Sequence, residues 1–239
     1  MSRTLKALSV LLTYPTTALQ EAAGEIGLVL AQDRHLPAGV WRQLSALTTE
    51  LATGDLYDLQ ERYVLLFDRT RSLSLHLFEH VHGESRDRGQ AMIDLKSQYE
   101  QAGLLMSAAE LPDFLPLFLE YLATRPLKEA CETLGQPAHI FAALAERLRK
   151  RQSAYEAVFR ALVALSAAKP KDEEVSALLE LPDPDAGDLA ALDAAWEDEP
   201  VKFGPGVGDS CKDTLMAHVR GGLRPAPDMP TATRRTPRH

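Results

Sequence analysis

The chain has 239 residues, of which 45% are apolar, 6% aromatic and 25% charged, and its formal net charge is −8. Eleven acids and no lysine or arginine lie within residues 172–199. The remaining residues therefore have a net charge of about +3 (−8 minus −11). They lack the basic face that is typical of a nucleic-acid-binding protein. The two cysteines, Cys131 and Cys211, stand far apart and outside any CxxC pattern, which disfavours a disulfide framework and suits the reducing cytoplasm.

The N-terminus lacks the features of a secretory signal. Arg3 and Lys6 precede an apolar run, but the run is too short and no A-x-A-like cleavage site follows it. No stretch approaches about 18 uninterrupted apolar residues, the length that a membrane-spanning helix needs. We therefore expect a cytoplasmic protein with no membrane insertion.

Helical periodicity dominates the first 70 residues. Leucines recur at intervals of three and four residues, which places them on one face of each helix. Thr17 and Gln20 have the spacing of a capping box, and Gly54 stands where a helix should end. These signals predict helices over about 4–13, 17–31 and 38–53, and a fourth from residue 55 that carries Leu59, Tyr63, Leu66 and Phe67.

The following hundred residues continue the pattern. A short helix is predicted from Ser72 to about Val81, where Gly83 ends it. Asp113 is the expected N-cap of a helix that holds Pro116 in its first turn. No period-2 run of β-branched residues between hairpin turns is found, so the predicted fold is an all-α bundle of about nine to ten helices. The remaining helices are predicted over about 85–103, 126–134, 137–152 and 154–167.

The composition changes after residue 168, where proline, glycine and acids become frequent. We therefore predict an all-helical domain over 1–168 and a flexible C-terminal extension over 169–239. The extension would consist of an acidic linker, two short helical pieces at 176–181 and 188–196, and a disordered basic tail.

One short stretch spells a metal-site pattern. His76, Glu79 and His80 match the H-x-x-E-H motif of inverted zinc peptidases. On a helix, the two histidines would share one face, and the glutamate could act as the general base for a metal-bound water. A third ligand would still be needed, for which His82 and Glu84 are the nearest candidates. Peptidases of this type also hold their substrate on a strand, and none is predicted, so a zinc hydrolase is the rival hypothesis.

Arginines and acids surround the same stretch. Arg69 and Arg71 precede it, Arg86 and Arg88 follow it, and acids alternate with them. Such a pattern is typical of a solvated charge network, and equally of a polar rim around an apolar groove that fixes the register of a bound chain. The apolar residues of the predicted helix cover more than one of its faces, which favours a partner surface. They are Leu73, Leu75, Leu77, Phe78 and Val81.

Two blocks of the chain resemble a known family. YVLLFDRTRSLSLHLFEHVHGESRDRGQAMIDL at 63–95 and ELPDFLPLFLEYLA at 110–123 are similar to the NarJ-type (delta subunit) assembly chaperones of respiratory nitrate reductase, within the redox-enzyme maturation chaperones. The resemblance covers about 4–168. It implies an all-helical cytoplasmic chaperone that is not an enzyme. This chaperone would bind the N-terminal segment of the nitrate reductase catalytic (alpha) subunit. The client would receive molybdenum cofactor and iron–sulfur centres before membrane docking, and the chaperone would bind no cofactor stably.

The resemblance also assigns residues. Tyr63, Leu66 and Phe67 match the family's Tyr-x-x-Leu-Phe element, and Arg69 to Arg88 match the nitrate reductase branch. Related chaperones have Glu-Pro-x-Asp-His where this chain has Glu110-Leu111-Pro112-Asp113 with no histidine after it, so a role of that histidine does not carry over.

A client segment that folds as an amphipathic helix would lie with its apolar face in a groove. Arginines and acids at the rim would set its orientation, and the histidines would make binding pH-dependent. Alternatively, each apolar residue of this set could belong to the hydrophobic core of the bundle and make no contact with the client. The full predicted contact set is Tyr63, Leu66, Phe67, Arg69, Arg71, His76, Leu77, Phe78, Glu79, His80, His82, Glu84, Arg86, Arg88, Asp113, Phe114, Leu117 and Tyr121.

Two further questions stay open from the sequence. The client could be another molybdoenzyme of the same class, and the chaperone could be a monomer or a weak dimer. The acidic stretch 172–199 could imitate the client, repel like-charged surfaces or serve as a solvated linker.

Overall fold

Eleven α-helices account for most of the residues that the computed structural model describes, which are 1–81, 86–106 and 110–183. No β-strand occurs within these ranges, so the predicted all-α fold is confirmed. None of the helices there is long and apolar enough to cross a membrane. The helices are α1 Ser2–Leu11, α2 Thr17–Ala31, α3 Ala38–Thr53, α4 Leu56–Tyr63, α5 Leu77–Val81, α6 Arg86–Gln101, α7 Leu115–Ala123, α8 Leu127–Gly135, α9 Ala138–Lys150, α10 Glu156–Leu165 and α11 Asp172–Leu179.

The leucine stripes form the core as predicted. Leu5, Leu8, Leu11 and Leu12 of the first helix are at most 1% exposed. Helix α1 packs on α7, α2 on α3, and α9 on α10, so the two helices of each pair bury their apolar faces against each other. The position of α3 agrees with the prediction from Ala38 to Thr53.

Helix α2 spans the predicted residues 17–31, but its N-cap is not the predicted one. Thr16 is the N-cap, and its hydroxyl accepts a hydrogen bond from the backbone N–H of Leu19 at 3.2 Å. Gln20, expected to complete a capping box with Thr17, instead donates to the backbone carbonyls of Leu51 and Gly54 at 3.1 and 2.9 Å. The end of α3 is thus tied to the start of α2, a tertiary contact that local spacing does not reveal.

The predicted continuous helix over 72–81 is wrong. A π-helical turn at Val64–Asp68 and a 3₁₀ turn at Arg71–Leu73 lead into extended chain, and only Leu77–Val81 is α-helical. The extended part pairs with 113–115: the N–H of Leu77 donates to the Asp113 carbonyl at 3.1 Å, and the N–H of Leu115 to the Leu75 carbonyl at 2.9 Å.

The sequence does carry a signal for this extended conformation. Leu73, Leu75 and Leu77 alternate with polar residues, which is the two-residue period of a strand. All three leucines are buried. The run is too short to form a sheet, and it makes an isolated antiparallel bridge between His76 and Phe114.

The C-terminal helices lie close to their predicted positions. Helices α8, α9 and α10 agree with the predictions over 126–134, 137–152 and 154–167 within a few residues. Helix α11 packs along α9 and overlaps the predicted piece at 176–181. The piece at 188–196 and the basic tail lie outside the described residues, and the division at residue 168 stays a prediction.

An aromatic cluster centred on Tyr63 joins α1, α4 and the segment before α10. The Tyr63 ring lies 5.0 Å from that of Phe67, which in turn lies 5.1 Å from that of Tyr155. Its hydroxyl donates to the Leu12 carbonyl at the end of α1 at 2.9 Å. The predicted site residues Tyr63 and Phe67 therefore belong to the core.

We expect Tyr63→Phe to lower the free energy of unfolding by about 1–2 kcal/mol, because it leaves the buried Leu12 carbonyl without its donor while the ring packing remains. Urea denaturation followed by circular dichroism measures the effect. Tyr57→Phe is the matched control, since Tyr57 is 81% exposed. Equal stability of the two variants would contradict the assigned role.

Candidate functional site

The carboxylate of Asp113 organises the segment that the sequence singled out. Asp113 is fully buried. Its Oδ2 accepts a hydrogen bond from the Phe78 backbone N–H at 3.1 Å, and its Oδ1 lies 3.1 Å from His76 Nδ1. Asp113 therefore caps the first turn of α5, and the prediction that it caps α7 is wrong. Phe114 is the N-cap of α7, and Pro116 does occupy its first turn.

Arg88 brings α6 to the same carboxylate. Its Nη2 lies 3.4 Å from Glu79 Oε1 and 3.9 Å from Asp113 Oδ2. Both Arg88 and Glu79 are about three-quarters buried. Residues from three parts of the chain therefore form one charge network, which joins α5, α6 and the segment before α7. Its members are His76, Glu79, Arg88 and Asp113.

The two histidines of the H-x-x-E-H pattern have separate partners. His76 precedes α5, so the premise that both histidines share one helical face is wrong. The hydrogen bond to Asp113 raises the pKa of His76 above its usual value. His80 Nε2 lies 2.9 Å from the Ser74 carbonyl, and burial lowers the pKa of His80.

Within the described ranges, no group of three or more histidine, cysteine, aspartate or glutamate side chains could hold a metal ion. His82 and Glu84, the proposed third ligands, lie outside those ranges. The geometry that motivated the zinc hypothesis is thus not the one that the chain adopts.

A polar cleft of about 500 Å³ opens beside this network. We call it the arginine cleft. Arg69 and Arg71 are exposed on its rim, and Phe67 forms part of its wall. Basic and acidic groups alternate around it, so a bound chain would need complementary charges in a fixed register. The cleft is lined by Phe67, Asp68, Arg69, Arg71, Ser74, His76, Glu79 and Arg88.

The predicted apolar contacts are largely core residues. Leu66, Phe67, Leu77 and Tyr121 are between 5% and 8% exposed and belong to the main hydrophobic cluster. The others, Phe78, Phe114 and Leu117, are partly buried and pack against it. Hydrophobicity in the sequence could not separate the two roles. The side chain of Arg86 is not described, although its backbone lies in α6.

A second concave surface was missed by the sequence reasoning. It lies where α1, α2 and α7 meet, has a volume of about 580 Å³ and is mainly apolar. The alanines Ala7, Ala22 and Ala123 are the signal that could have indicated it, because small side chains leave space between helices. Other lining residues are Val10, Ile26, Val29 and Leu104.

Replacing Asp113 with alanine should lower the free energy of unfolding by about 2–4 kcal/mol, because it leaves the Phe78 N–H and His76 without their buried acceptor. Urea denaturation measures the loss. Glu110→Ala, an exposed acid three residues earlier, is the control and should cost less than about 0.5 kcal/mol. Equal effects of the two substitutions would remove Asp113 from its central role.

The histidines should give stability an opposing dependence on pH. The raised pKa of His76 means that its stabilisation is complete below its unfolded pKa of about 6.5 and is lost as the pH rises through the folded pKa. The lowered pKa of His80 means that its stabilisation is present above pH of about 6.5 and is lost as the pH falls.

We therefore expect His76→Gln to flatten the alkaline side of the stability profile and His80→Gln to flatten the acidic side. Urea midpoints measured between about pH 5 and 8 test both. A single profile shared by the wild type and both variants would contradict the assignment.

Comparisons with known proteins indicate the family to which the chain belongs. The family model described as "Nitrate reductase delta subunit" matches residues 33–161, more than half of the chain. The "Nitrate reductase molybdenum cofactor assembly chaperone NarJ" of Escherichia coli (strain K12) is 44% identical over 224 residues, 92% of this chain and 94% of the relative.

Two further relatives are more distant. The "Probable nitrate reductase molybdenum cofactor assembly chaperone NarW" of the same strain is 40% identical over 199 residues, 83% of each chain. The "Probable nitrate reductase molybdenum cofactor assembly chaperone NarJ" of Bacillus subtilis (strain 168) is 36% identical over 106 residues, 44% of this chain and 58% of that protein. With a family model over more than half its length and a relative aligned almost end to end, the chain belongs to the nitrate reductase delta subunit family.

Proposed function

We propose that this protein is an assembly chaperone of respiratory nitrate reductase. The observation that carries the proposal is the 44% identity over 92% of the chain to a relative named as a nitrate reductase molybdenum cofactor assembly chaperone. The protein acts by binding, and no bond is made or broken. It keeps the apo catalytic (alpha) subunit competent for insertion of molybdenum cofactor and iron–sulfur centres. It works in the cytoplasm before membrane docking, as a monomer or weak dimer.

The cofactor stays with the client. The chaperone holds neither a metal nor the molybdenum cofactor stably; its contribution is to keep the apo subunit open. In support, Nδ1 of His76 is directed to Asp113, and Nε2 of His80 is directed to the Ser74 carbonyl. These contacts orient the histidines for structural roles.

The bound element is the N-terminal segment of the catalytic subunit, which we call the client segment. Ordering ten to fifteen residues costs roughly 1–2 kcal/mol each, whereas micromolar binding needs about −8 kcal/mol net. Apolar burial must therefore supply most of the affinity. Phe78, Phe114 and Leu117 are partly buried against the core, so part of each side chain remains at the surface for this contact.

The arginine cleft fixes the register of the client segment. Arg69 and Arg71 on its rim attract acidic groups, while Asp68 and Glu79 reject a segment displaced along the cleft. Because Asp68, Arg69 and Arg71 are exposed, they influence the association rate and its salt dependence more than the final affinity.

Calorimetric titration with a synthetic client segment tests the proposal, with a scrambled peptide as the control. We expect saturable binding near one to one. Arg71→Ala should weaken it by about five- to tenfold and reduce its salt dependence. Phe78→Ala should weaken it through lost burial. Arg160→Ala, which removes an arginine from an exposed pair on α10, is the matched control and should bind normally.

Absence of binding at high micromolar concentration, with the protein shown to be folded, would refute recognition of the client segment. Preference for the leader of another molybdoenzyme would instead indicate a different client of the same class. The affinity should also change between about pH 6 and 8 through the histidines, and a flat profile would refute that dependence.

A further inference from the structure

Helix α11 is held in place by polar contacts and by partial burial only. None of its residues is buried, and Val175, Leu178 and Leu179 are only half-buried where it lies along α9. An isolated helix of eight residues is not stable in water. Its position therefore depends on the contacts that α9 makes with it and with the residues that follow it.

Two arginines of the α9 region form a clamp. Arg147 Nη1 donates to the Ser72 carbonyl at 2.7 Å, and its Nη2 donates to the Leu178 carbonyl at 2.5 Å. Arg151 pairs with both carboxylate oxygens of Asp183 at 2.7 Å each. The Ser72 hydroxyl also donates to the Asp183 carboxylate. One cluster thus joins α11 to the 3₁₀ turn at Arg71–Leu73.

The clamped turn leads directly into the arginine cleft. Arg71, Ser74 and His76 line that cleft. Leu73 and Leu75 lie between them and are at most 3% exposed. An apolar face of a bound helix cannot contact these leucines unless the segment over 71–76 moves. The clamp opposes that movement because Ser72 is held through both its carbonyl and its hydroxyl.

The clamp itself carries a cost that favours its release. Arg147 is 2% exposed, and its Nε has no hydrogen-bond partner in the described part of the chain. A buried guanidinium with an unsatisfied N–H loses hydration that two carbonyl contacts do not fully replace. Release of α11 would restore part of that hydration, which lowers the free-energy cost of leaving the clamped state.

We propose that residues 172–183 form a releasable strap that restrains the 71–76 segment, and that weakening the strap increases affinity for the client segment. This rests on the proposed function, because the ligand is the client segment. A protein whose competent state is only partly populated binds with an affinity reduced by that fraction. The strap lowers that fraction until a client displaces it.

The test uses the full chain and Asp183→Ala, which removes the carboxylate shared by Arg151 and Ser72. Glu146→Ala is the matched control, because Glu146 pairs through both oxygens with Arg149 on the same helix but touches no part of the strap. Calorimetry with the client segment gives the affinity, and hydrogen exchange of the backbone amides over 71–77 reports the restraint directly.

We expect Asp183→Ala to bind about two- to fivefold more tightly than the wild type and to exchange faster over 71–77, with Glu146→Ala unchanged in both. A merely structural role of Asp183 would weaken binding, which is the opposite direction. If Asp183→Ala binds no more tightly than the wild type, or exchanges no faster over 71–77, the strap hypothesis is refuted. Binding of the client segment by the wild type would still support the proposed function. Binding by Asp183→Ala alone supports the strap; binding by neither protein refutes both proposals.

Discussion

The arrangement of the candidate site depends on one buried carboxylate. Asp113 has no exposed surface, yet its oxygens receive the Phe78 N–H and lie beside His76 and Arg88. A charge in that position is stable only while its partners surround it. The start of α5, the orientation of His76 and the approach of α6 are therefore coupled. The arginine cleft lies beside this network and is lined by its members His76, Glu79 and Arg88.

The sequence predicted the fold where the apolar period extends over several turns. Helices α1 and α3 were located to within about two residues because their leucines recur over three or more turns. The prediction failed at 72–77, where a run of only six residues alternates with a period of two. It also failed at Asp113, because its partners at 76 and 78 are more than thirty residues away in the chain and no local pattern reveals such a pairing.

Part of the candidate site was predictable for a different reason. Most residues of the arginine cleft come from the continuous stretch 67–79, in which short turns bring neighbours in sequence together in space. The apolar contacts were less predictable. Leucines such as Leu66 and Leu77 occur both in binding surfaces and in cores, and in this structure both are buried. Packing decides between those roles, and packing depends on helices from the whole chain.

The π-helical turn at Val64–Asp68 determines how the cleft and the core are aligned. The Arg69 N–H donates to the Val64 carbonyl at 2.9 Å, which spans one residue more than an α-helical bond. If α4 continued as an α-helix, its hydrogen-bonded ring would contain one residue fewer. Every later residue would then be rotated by about 100° around the helix axis. Phe67 faces inward and Arg69 faces solvent, as residues two apart do on either type of helix. The extra residue of the π-turn instead shifts the chain that follows it, so the position of the 3₁₀ turn at Arg71–Leu73 relative to α4 depends on the count of residues in a single backbone ring.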